Sequence, residues 1–349
     1  MTDSFFPQAR THGGADGQGV PLHDFSSNSN ACGPCPQALH AVSLADASRY
    51  PDPRYTDLRQ QLAAFHGVAV GRMVLAASAS EFIFRITAMT AQRGGRAVCL
   101  PPHGYGDYAQ AAHAHRMTLV ADPGIAALCW ACDPSSPFGV THEGLSDLVD
   151  NAGASTTLVL DRAYEPLRLS GALALTDRQL QSVWQLWTPN KALGLTGVRA
   201  AYAIAPLDSD EDVQAMDALC PSWPIGAHGV AMLQTWTQVG TQKWLAGSLD
   251  ALREWKARQV AMCESLGWTV LPNSANFFVC HTGLDLQSMT ASVHRLQIGA
   301  AMRNLRKAGF KLRDCASFGL PGHMRLSVQS PATQDALQAA WQDIIEGSI

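Results

Sequence analysis

The chain has 349 residues, 47% of them hydrophobic, and a formal net charge of −4, so it can bury a core and form two domains. The mildly acidic balance gives no electrostatic reason to bind nucleic acid or an anionic membrane surface. No apolar run reaches the roughly 20 residues that a spanning helix needs, and the first residues, M-T-D-S-F-F-P-Q-A-R, lack the layout of a signal peptide. We therefore expect a cytoplasmic protein.

Strand and helix signals alternate through the first two thirds of the chain. Apolar runs bounded by turn residues predict strands, and apolar residues spaced by three or four predict helices. In chain order, strands are predicted at 74–77, 97–100, 118–121, 128–130, 156–160 and 200–205, and helices at 36–47, around Leu58 to Phe65, from Phe82, at 109–115 and at 142–151. This alternation indicates an α/β fold with a mostly parallel sheet.

The last third of the chain is predicted to be helical first and mixed later. Helices are expected at 210–218, 230–266, 287–294, 299–308 and 333–345, with strands at 268–271, 277–280, 310–313 and 324–328. The change of pattern near 235–245 marks a candidate boundary between domains. We expect an N-terminal arm (1–45) that joins the small domain, a large domain (46–240) and a small C-terminal domain (241–349).

Nine cysteines include two C-x-x-C pairs, Cys32-Gly-Pro-Cys35 and Cys129-Trp-Ala-Cys132. C-G-P-C is the spelling of a thiol-disulfide motif, and two such pairs could hold zinc. Cys32 follows a polar stretch rather than a strand, however, and zinc ribbons keep their pairs within about 15–20 residues of each other. We expect unpaired thiols and no metal site, with a thiol-disulfide protein as a remote alternative.

A single lysine, Lys191, stands out in W-T-P-N-K-A-L-G-L-T-G-V-R at 187–199, where Arg199 is the only other charge. Among apolar and small residues, an ammonium group is poorly solvated, which lowers its pKa. A neutral amine is what Schiff-base chemistry requires. The stretch also fits a surface lysine on a glycine-rich turn, so it does not decide the function alone.

Two further stretches carry chemistry. The apolar run T-T-L-V-L at 156–160 is followed by Asp161-Arg-Ala-Tyr164, and open α/β sheets place their functional groups just beyond such strand ends. Ser78-Ala-Ser-Glu81 fits a capping box between a strand and an apolar helix. Free N–H groups at the start of that helix would suit a phosphate, although many helices begin this way.

In combination, D-R-A-Y at 161–164, T-P-N-K at 188–191 and K-A-L-G-L-T-G-V-R at 191–199 resemble fold-type I pyridoxal-phosphate (PLP) enzymes. The resemblance runs from about His12 to Val328. Within the histidinol-phosphate aminotransferase-like group, four further motifs resemble the threonine-phosphate decarboxylases of cobalamin biosynthesis: H-G-G, D-F-S-S-N-S-N, Y-P-D-P, and R-D-C-A-S-F-G-L-P before M-R-L-S-V. This implies a large domain with a mostly parallel central sheet and a smaller α+β domain.

The resemblance also implies roles for individual residues. Lys191 would be the Schiff-base lysine and proton shuttle, Asp161 would pair with the ring nitrogen, and Tyr164 would donate to the ring oxygen. The full cofactor-binding set would be Tyr50 (from the partner of a homodimer), Ala79, Ser80, Tyr105, Ser136, Asp161, Tyr164, Thr188, Lys191 and Arg199. Substrate would meet His12, Asn28, Arg313 and Arg325, with Arg325 on the carboxylate and Arg313 and His12 on a phosphate.

The family usually has Asn-Pro-x-Asn-Pro-x-Gly where this chain has Asp133-Pro-Ser-Ser136-Pro-Phe-Gly139. The shorter Ser136 hydroxyl replaces an amide that normally bonds the ring oxygen, so the pKa of the cofactor–lysine linkage is expected to differ from that of the family.

The resemblance makes decarboxylation of L-threonine O-3-phosphate to 1-amino-2-propanol phosphate the first expectation. An aminotransferase acting on histidinol phosphate or a related amino acid is the alternative. A cofactor-binding protein without turnover is a more remote one.

Overall fold

The computed structural model describes residues 12–153, 155–282 and 291–346, with side chains described outside 291–297. Its strands are β1 (His23–Asp24), β2 (Met73–Ala76), β3 (Ala97–Cys99), β4 (Thr118–Val120), β5 (Leu128–Cys132), β6 (Thr157–Asp161), β7 (Trp184–Trp187), β8 (Ala201–Ile204), β9 (Thr269–Val270), β10 (Phe277–His281), β11 (Phe310–Lys311), β12 (Arg313–Asp314) and β13 (His323–Ser327).

The α-helices are α1 (Pro36–Ser43), α2 (Thr56–His66), α3 (Ala79–Gln92), α4 (Gly106–Ala114), α5 (Leu145–Asn151), α6 (Asp177–Gln181), α7 (Asp210–Ala218), α8 (Ala227–Trp236), α9 (Val239–Ser265), α10 (Ala291–Lys307) and α11 (Pro331–Ile345). None of the helices in these ranges is long and apolar enough to span a bilayer.

The chain forms two compact units. The sheet unit comprises Ser29–Glu254 and Pro272–Asn276, and the terminal unit comprises the described parts of Met1–Asn28, Trp255–Leu271 and Phe277–Ile349. The domain boundaries expected near 45 and 240 stay predictions.

A seven-stranded sheet organises the sheet unit, in the order β2-β8-β7-β6-β5-β3-β4. Strands β3 to β7 pair in parallel, whereas β8 is antiparallel to both of its neighbours, β2 and β7. The prediction of a mostly parallel sheet is confirmed.

Both faces of this sheet are buried, which explains the continuous apolar runs in its strands. Along β5, Leu128 and Trp130 pack in the core cluster that contains α3, α4 and α7 residues, whereas Cys129 and Ala131 pack in the cluster that contains Leu145 of α5. Alternate side chains of a strand point to opposite faces, so each strand contributes to two cores.

The terminal unit contains an antiparallel sheet in the order β12-β13-β10-β9 and a parallel pair of β1 with β11. Phe25, Phe278, Leu326 and Trp341 are among the residues buried in its core. Strands, α10 and α11 together make this unit α+β, as predicted.

Several elements of the structure differ from the prediction. β7 was not predicted, although all four of its residues are buried. The helical stretch predicted at 230–266 is interrupted between α8 and α9. The helices predicted at 287–294 and 299–308 form one helix, α10, where the structure describes them, and 287–290 lie outside the described residues.

Candidate functional site

The carboxyl ends of the parallel strands lie side by side along one border of the sheet, perpendicular to the strands, which is called the site edge. Across that edge, Ala76 pairs with Ala201, Trp187 pairs with Tyr202, and Asp161 pairs with Leu186 and Cys132. The candidate residues follow these strand ends: Ala79 and Ser80 after β2, Ser136 after β5, Asp161 and Tyr164 at the end of β6, and Thr188 and Lys191 after β7.

Asp161 is the last residue of β6 and is 5% exposed. The Ala163 N–H donates to its Oδ1 at 2.9 Å, and the Tyr108 hydroxyl donates to its Oδ2 at 2.6 Å. Burial raises the pKa of Asp161, while the hydrogen bonds from Tyr108 and Ala163 and the charge of Lys191 oppose that rise. The site therefore holds a buried carboxylate that two fixed donors stabilise in its charged form.

Lys191 is half-buried, and its Nζ lies 5.3 Å from the centroid of the Tyr164 ring. The main chain of the loop that carries Lys191 is held by Asn30, a residue far from it in the sequence. Asn30 donates its backbone N–H to the Lys191 carbonyl at 2.9 Å and its side-chain Nδ2 to the Ala192 carbonyl at 3.0 Å. The loop is thus anchored through its backbone, which leaves the amine to be positioned by the loop rather than by its own contacts.

The Cys32-Gly-Pro-Cys35 motif belongs to this anchor. The Cys35 N–H donates to the Leu193 carbonyl at 2.8 Å, and a Cβ built on Gly33 would lie 2.9 Å from the Gly194 Cα. All nine cysteines are free, and burial raises the pKa of the Cys32 thiol. The motif packs against the lysine loop as a backbone support, and a raised thiol pKa makes Cys32 a poor nucleophile.

The start of α3 offers unsatisfied N–H groups. The Ser78 hydroxyl accepts from the Glu81 N–H at 3.1 Å, and the Glu81 carboxylate accepts from the Ala77 N–H at 3.1 Å. Glu81 in turn pairs with Arg85 at 2.9 Å. The N–H groups of Ala79 and Ser80, which come first in the helix, have no intrahelical acceptor, so this turn can receive an anion.

Two further polar groups face the same region. The Ser80 hydroxyl lies 3.4 Å from the Tyr105 hydroxyl. The Thr188 Oγ1 is buried and has no hydrogen-bond partner within the part of the chain that the structure describes. A buried hydroxyl without a partner among these residues is available to bond a ligand atom.

The loop of Ser136 is built on a buried ion pair. Asp133 is fully buried and accepts from Arg168, while its second oxygen accepts from the His142 N–H at 3.0 Å. The Gly139 carbonyl at the other end of the loop accepts from the Ser274 N–H at 2.6 Å. Ser136 itself is 8% exposed. Asp133 with Arg168 therefore holds the loop in which the family carries asparagine.

Two predicted cofactor residues, Arg199 and Tyr50, are exposed. Arg199 is exposed on the segment before β8. Tyr50 is 78% exposed, and its ring stacks on Trp223 with 4.4 Å between centroids. No hydrogen bond or ion pair joins either residue to Asp161 or Lys191 among the described residues.

The predicted substrate residues all belong to the terminal unit. Arg313 and Arg325 face each other across β12 and β13, are 5% and 6% exposed, and lie 4.9 and 5.7 Å from the Phe318 ring. Burial, and secondarily the charge of Arg325, lowers the pKa of Arg313. Asn28 is buried and His12 is exposed. Two neighbouring buried cations attract a group with more than one negative charge.

Comparison with known families decides which chemistry these residues belong to. The family model described as aminotransferase class I and II matches residues 21–123 and 121–344. The chain belongs to the class I and II aminotransferases. It is therefore an enzyme of a PLP-dependent family, and PLP is its cofactor.

Individual relatives agree with this assignment. The chain is 28% identical to histidinol-phosphate aminotransferase of Hyphomonas neptunium over 94% of this chain and 91% of that protein. It is 26% identical to the enzyme of the same name from Halorubrum lacusprofundi over 88% and 84% of the two chains.

Solved structures share the fold. Histidinol-phosphate aminotransferase of Sinorhizobium meliloti, solved in complex with pyridoxal-5'-phosphate, has a TM-score of 0.80 at 23% identity and covers 95% and 93% of the two chains. L-threonine-O-3-phosphate decarboxylase of Porphyromonas gingivalis has a TM-score of 0.75 at 19% identity and covers 93% and 100%. The fold-type I prediction is confirmed, and the relatives favour the aminotransferase alternative over the decarboxylase that the motifs favoured.

The residues present fit PLP in this aminotransferase. The free N–H groups of Ala79 and Ser80 and the orphaned Thr188 hydroxyl suit its phosphate, the Asp161 carboxylate suits a ring N–H, and Lys191 supplies an amine. No group of three or more His, Cys, Asp or Glu side chains suited to a metal ion occurs among the described residues.

Three groups that shape this site were not predicted from the sequence. Tyr108 contacts Asp161 directly, Asn30 holds the lysine loop, and Arg168 neutralises Asp133. Tyr108 follows Tyr105 by three residues at the start of a helix, a spacing that brings side chains together and could have drawn attention to it. Asn30 and Arg168 act across long stretches of sequence, so no local pattern marks them.

Proposed function

We propose that this enzyme is a PLP-dependent aminotransferase that acts on histidinol phosphate or a related phosphorylated amine or amino acid. One observation carries the proposal: a buried carboxylate with two donors, Asp161, and a half-buried amine, Lys191, occur at the same edge of an aminotransferase sheet. The relatives named histidinol-phosphate aminotransferase support the choice of substrate class.

Each side chain at the sheet edge has a task in this proposal. Ala79, Ser80 and Thr188, with Arg199, would bind the cofactor phosphate, and Tyr105 would stack on the ring. Asp161 would accept the hydrogen bond of the ring N–H, and Tyr164 would donate to the ring oxygen. When bound, the cofactor supplies an electron sink for the bond broken at the substrate Cα.

Lys191 would carry out the proton transfer. In transamination a proton leaves the substrate Cα and is returned to a carbon on the other side of the amine nitrogen, so a single base that serves both positions has to reach both. An amine on a loop can move between them, whereas the carboxylate of Asp161 is fixed by two hydrogen bonds. A positioned acid–base group contributes about 10²–10⁴-fold to the rate.

Arg313 and Arg325 would receive the anionic end of each substrate. An amino donor with a phosphate and an amino acceptor with carboxylates, such as 2-oxoglutarate, must bind in turn, and guanidinium groups pair with both kinds of anion in a bidentate way. We include Asn28 and His12 in the same proposal as flanking polar residues. The nearness of two buried guanidinium groups supports a substrate of high negative charge.

Tyr50 would act from the partner of a homodimer, where it would reach the cofactor phosphate. Its ring, stacked on Trp223, is exposed on the surface of this chain, which is compatible with contact to a partner subunit. A mixture of Tyr50→Phe and Lys191→Ala subunits tests this. If Tyr50 serves the neighbouring site, a mixed dimer should have one active site. That site has the intact Lys191 of the Tyr50→Phe subunit and the intact Tyr50 of the Lys191→Ala subunit. Activity no higher than that of the separate variants would contradict the arrangement.

The deciding experiment measures products. With histidinol phosphate and 2-oxoglutarate, we expect glutamate; with L-threonine O-3-phosphate, we expect no carbon dioxide. Decarboxylation is retained as the second candidate because R-D-C-A-S-F-G-L-P at 313–321 contains the buried Arg313. Carbon dioxide together with 1-amino-2-propanol phosphate would establish that candidate instead.

Lys191→Ala tests whether Lys191 is the residue that binds the cofactor and transfers the proton. Turnover should fall by about 10²–10⁴-fold or more, and borohydride should no longer fix cofactor mass on the peptide that contains position 191. Lys243→Ala, on an exposed position of α9, serves as the control. Fixation that persists in Lys191→Ala would show that another amine holds the cofactor.

A further inference from the structure

Tyr108 is a fully buried tyrosine of α4 whose hydroxyl contacts the Asp161 carboxylate. The hydroxyl donates to Asp161 Oδ2 at 2.6 Å. Its ring is stacked on Trp130 of β5, with 4.4 Å between centroids and 15° between planes, and meets the edge of Tyr105 at 5.8 Å. Because the ring is fully buried, stacked on Trp130 and perpendicular to Tyr105, the hydroxyl is held in one direction.

We propose that Tyr108 is a positioning residue that keeps the proton on the cofactor's ring nitrogen by fixing the Asp161 carboxylate and reducing its basicity. This inference rests on the proposed role of Asp161 opposite that nitrogen. Each Asp161 oxygen has its own donor, Tyr108 on Oδ2 and the Ala163 N–H on Oδ1. Two donors on different oxygens prevent the carboxylate from rotating, so the remaining lone pairs keep one orientation.

The direction of the effect follows from the groups around the carboxylate. Besides Tyr108 and Ala163, Asp161 faces the amine of Lys191 and the thiol of Cys132, whose pKa is raised by burial. A buried carboxylate with fewer donors is more basic, and a more basic carboxylate takes a larger share of the proton that it shares with a ring nitrogen. Burial also raises the pKa of Tyr108 itself, so this hydroxyl stays protonated at neutral pH and can donate.

A phenylalanine at position 108 keeps the packing and removes only the donor. We would bind PLP labelled with ¹⁵N in the ring to wild-type enzyme, Tyr108→Phe, Asp161→Asn and Tyr202→Phe, and record the nitrogen resonance. Tyr202 is the control because it is also fully buried in this sheet unit, and its hydroxyl bonds His66 and Trp236. The dissociation constant of PLP is measured on the same proteins.

In Tyr108→Phe the resonance should move toward that of an unprotonated pyridine, and the dissociation constant of PLP establishes that the resonance is recorded on loaded enzyme. Tyr202→Phe should match wild type. Replacing Tyr108 with 3-fluorotyrosine, a stronger donor of nearly the same shape, should leave the nitrogen at least as protonated as in wild type, which tests the inference even if the phenylalanine variant fails to fold.

The outcomes distinguish a failure of the Tyr108 inference from a failure of the proposed role of Asp161. A resonance that moves in Asp161→Asn but not in Tyr108→Phe would overturn the inference and leave the proposed function intact. A resonance that moves in neither variant would overturn the role of Asp161, and the inference with it. A shift of equal size in Tyr202→Phe would also overturn it, because any buried tyrosine would then have the same effect.

Discussion

Gly33→Ala should loosen the loop that carries Lys191. The added methyl carbon would lie 2.9 Å from the Gly194 Cα, 3.2 Å from the Leu193 carbonyl oxygen and 3.3 Å from the Asn30 carbonyl oxygen. All three neighbours are backbone atoms, so no side-chain rotation can relieve the contact. Gly194 has a φ of 69°, in the left-handed region that favours glycine.

The expected loss can be estimated from two opposing effects. Overpacking costs about 1–3 kcal/mol, whereas alanine restricts the unfolded chain and returns about 0.4–1 kcal/mol. The net loss should be about 1–2 kcal/mol, measured as a lower urea midpoint of the enzyme without cofactor. The dissociation constant of PLP should rise as well, because the displaced residues adjoin the lysine.

Gly197→Ala is the matched control. Gly197 lies on the loop that carries Lys191 and Gly194, and a Cβ at Gly197 would meet no atom within 4 Å. Its stability should be unchanged or higher by up to about 1 kcal/mol. Equal midpoints and equal PLP affinity in the two variants would refute the idea that the contact between Gly33 and Gly194 supports the loop.

Three further predictions concern pH, a buried ion pair and the cofactor spectrum. Burial lowers the pKa of His66 to about 4, so its neutral form stabilises the fold fully above pH 6.5, and this contribution is lost as the pH falls toward 4. Between pH 7 and 4.5, wild type should lose about 1–2 kcal/mol more than His66→Gln after allowance for solvent screening; parallel urea midpoints would argue against this. Arg168→Met removes the ion-pair partner of the fully buried Asp133 and should cost about 3–5 kcal/mol, which Asp133→Asn in the same chain should partly restore; an unchanged denaturation curve would contradict it. Ser136→Asn adds a donor for the cofactor's ring oxygen and should shift the pH midpoint of the visible band by about 1–2 units, whereas an unmoved midpoint would mean that position 136 does not reach the ring.

Elements with a strong local pattern could be predicted from the sequence. The buried runs of β2, β5 and β6 lie between turn residues, and Ser78 caps α3 as the spacing of Ser78 and Glu81 indicates. Asp161 was expected at the end of its strand and is the last residue of β6. The position of a functional carboxylate at the strand end follows from the architecture of such sheets.

Elements that depend on distant partners could not be predicted. β7 contains a glutamine, which obscures its apolar pattern; the Gln185 amide donates to the Leu180 carbonyl at 3.0 Å and its oxygen accepts from Arg162 at 2.9 Å. The use of Cys32-Gly-Pro-Cys35 as a backbone support depends on Gly194 in a different part of the chain. Such contacts are set by tertiary packing, which a local motif does not record.

The reversed direction of β8 has a consequence for how this enzyme could diversify. A parallel successor to β7 would require a crossover to the opposite end of the sheet, but an antiparallel one lets the chain return after segment 188–200 without leaving the site edge. Thr188, Lys191 and Arg199 all come from that one connection. If these three residues contact the cofactor as proposed, insertions or exchanges within this one segment would change several of those contacts at once, while the strands on either side keep their pairing.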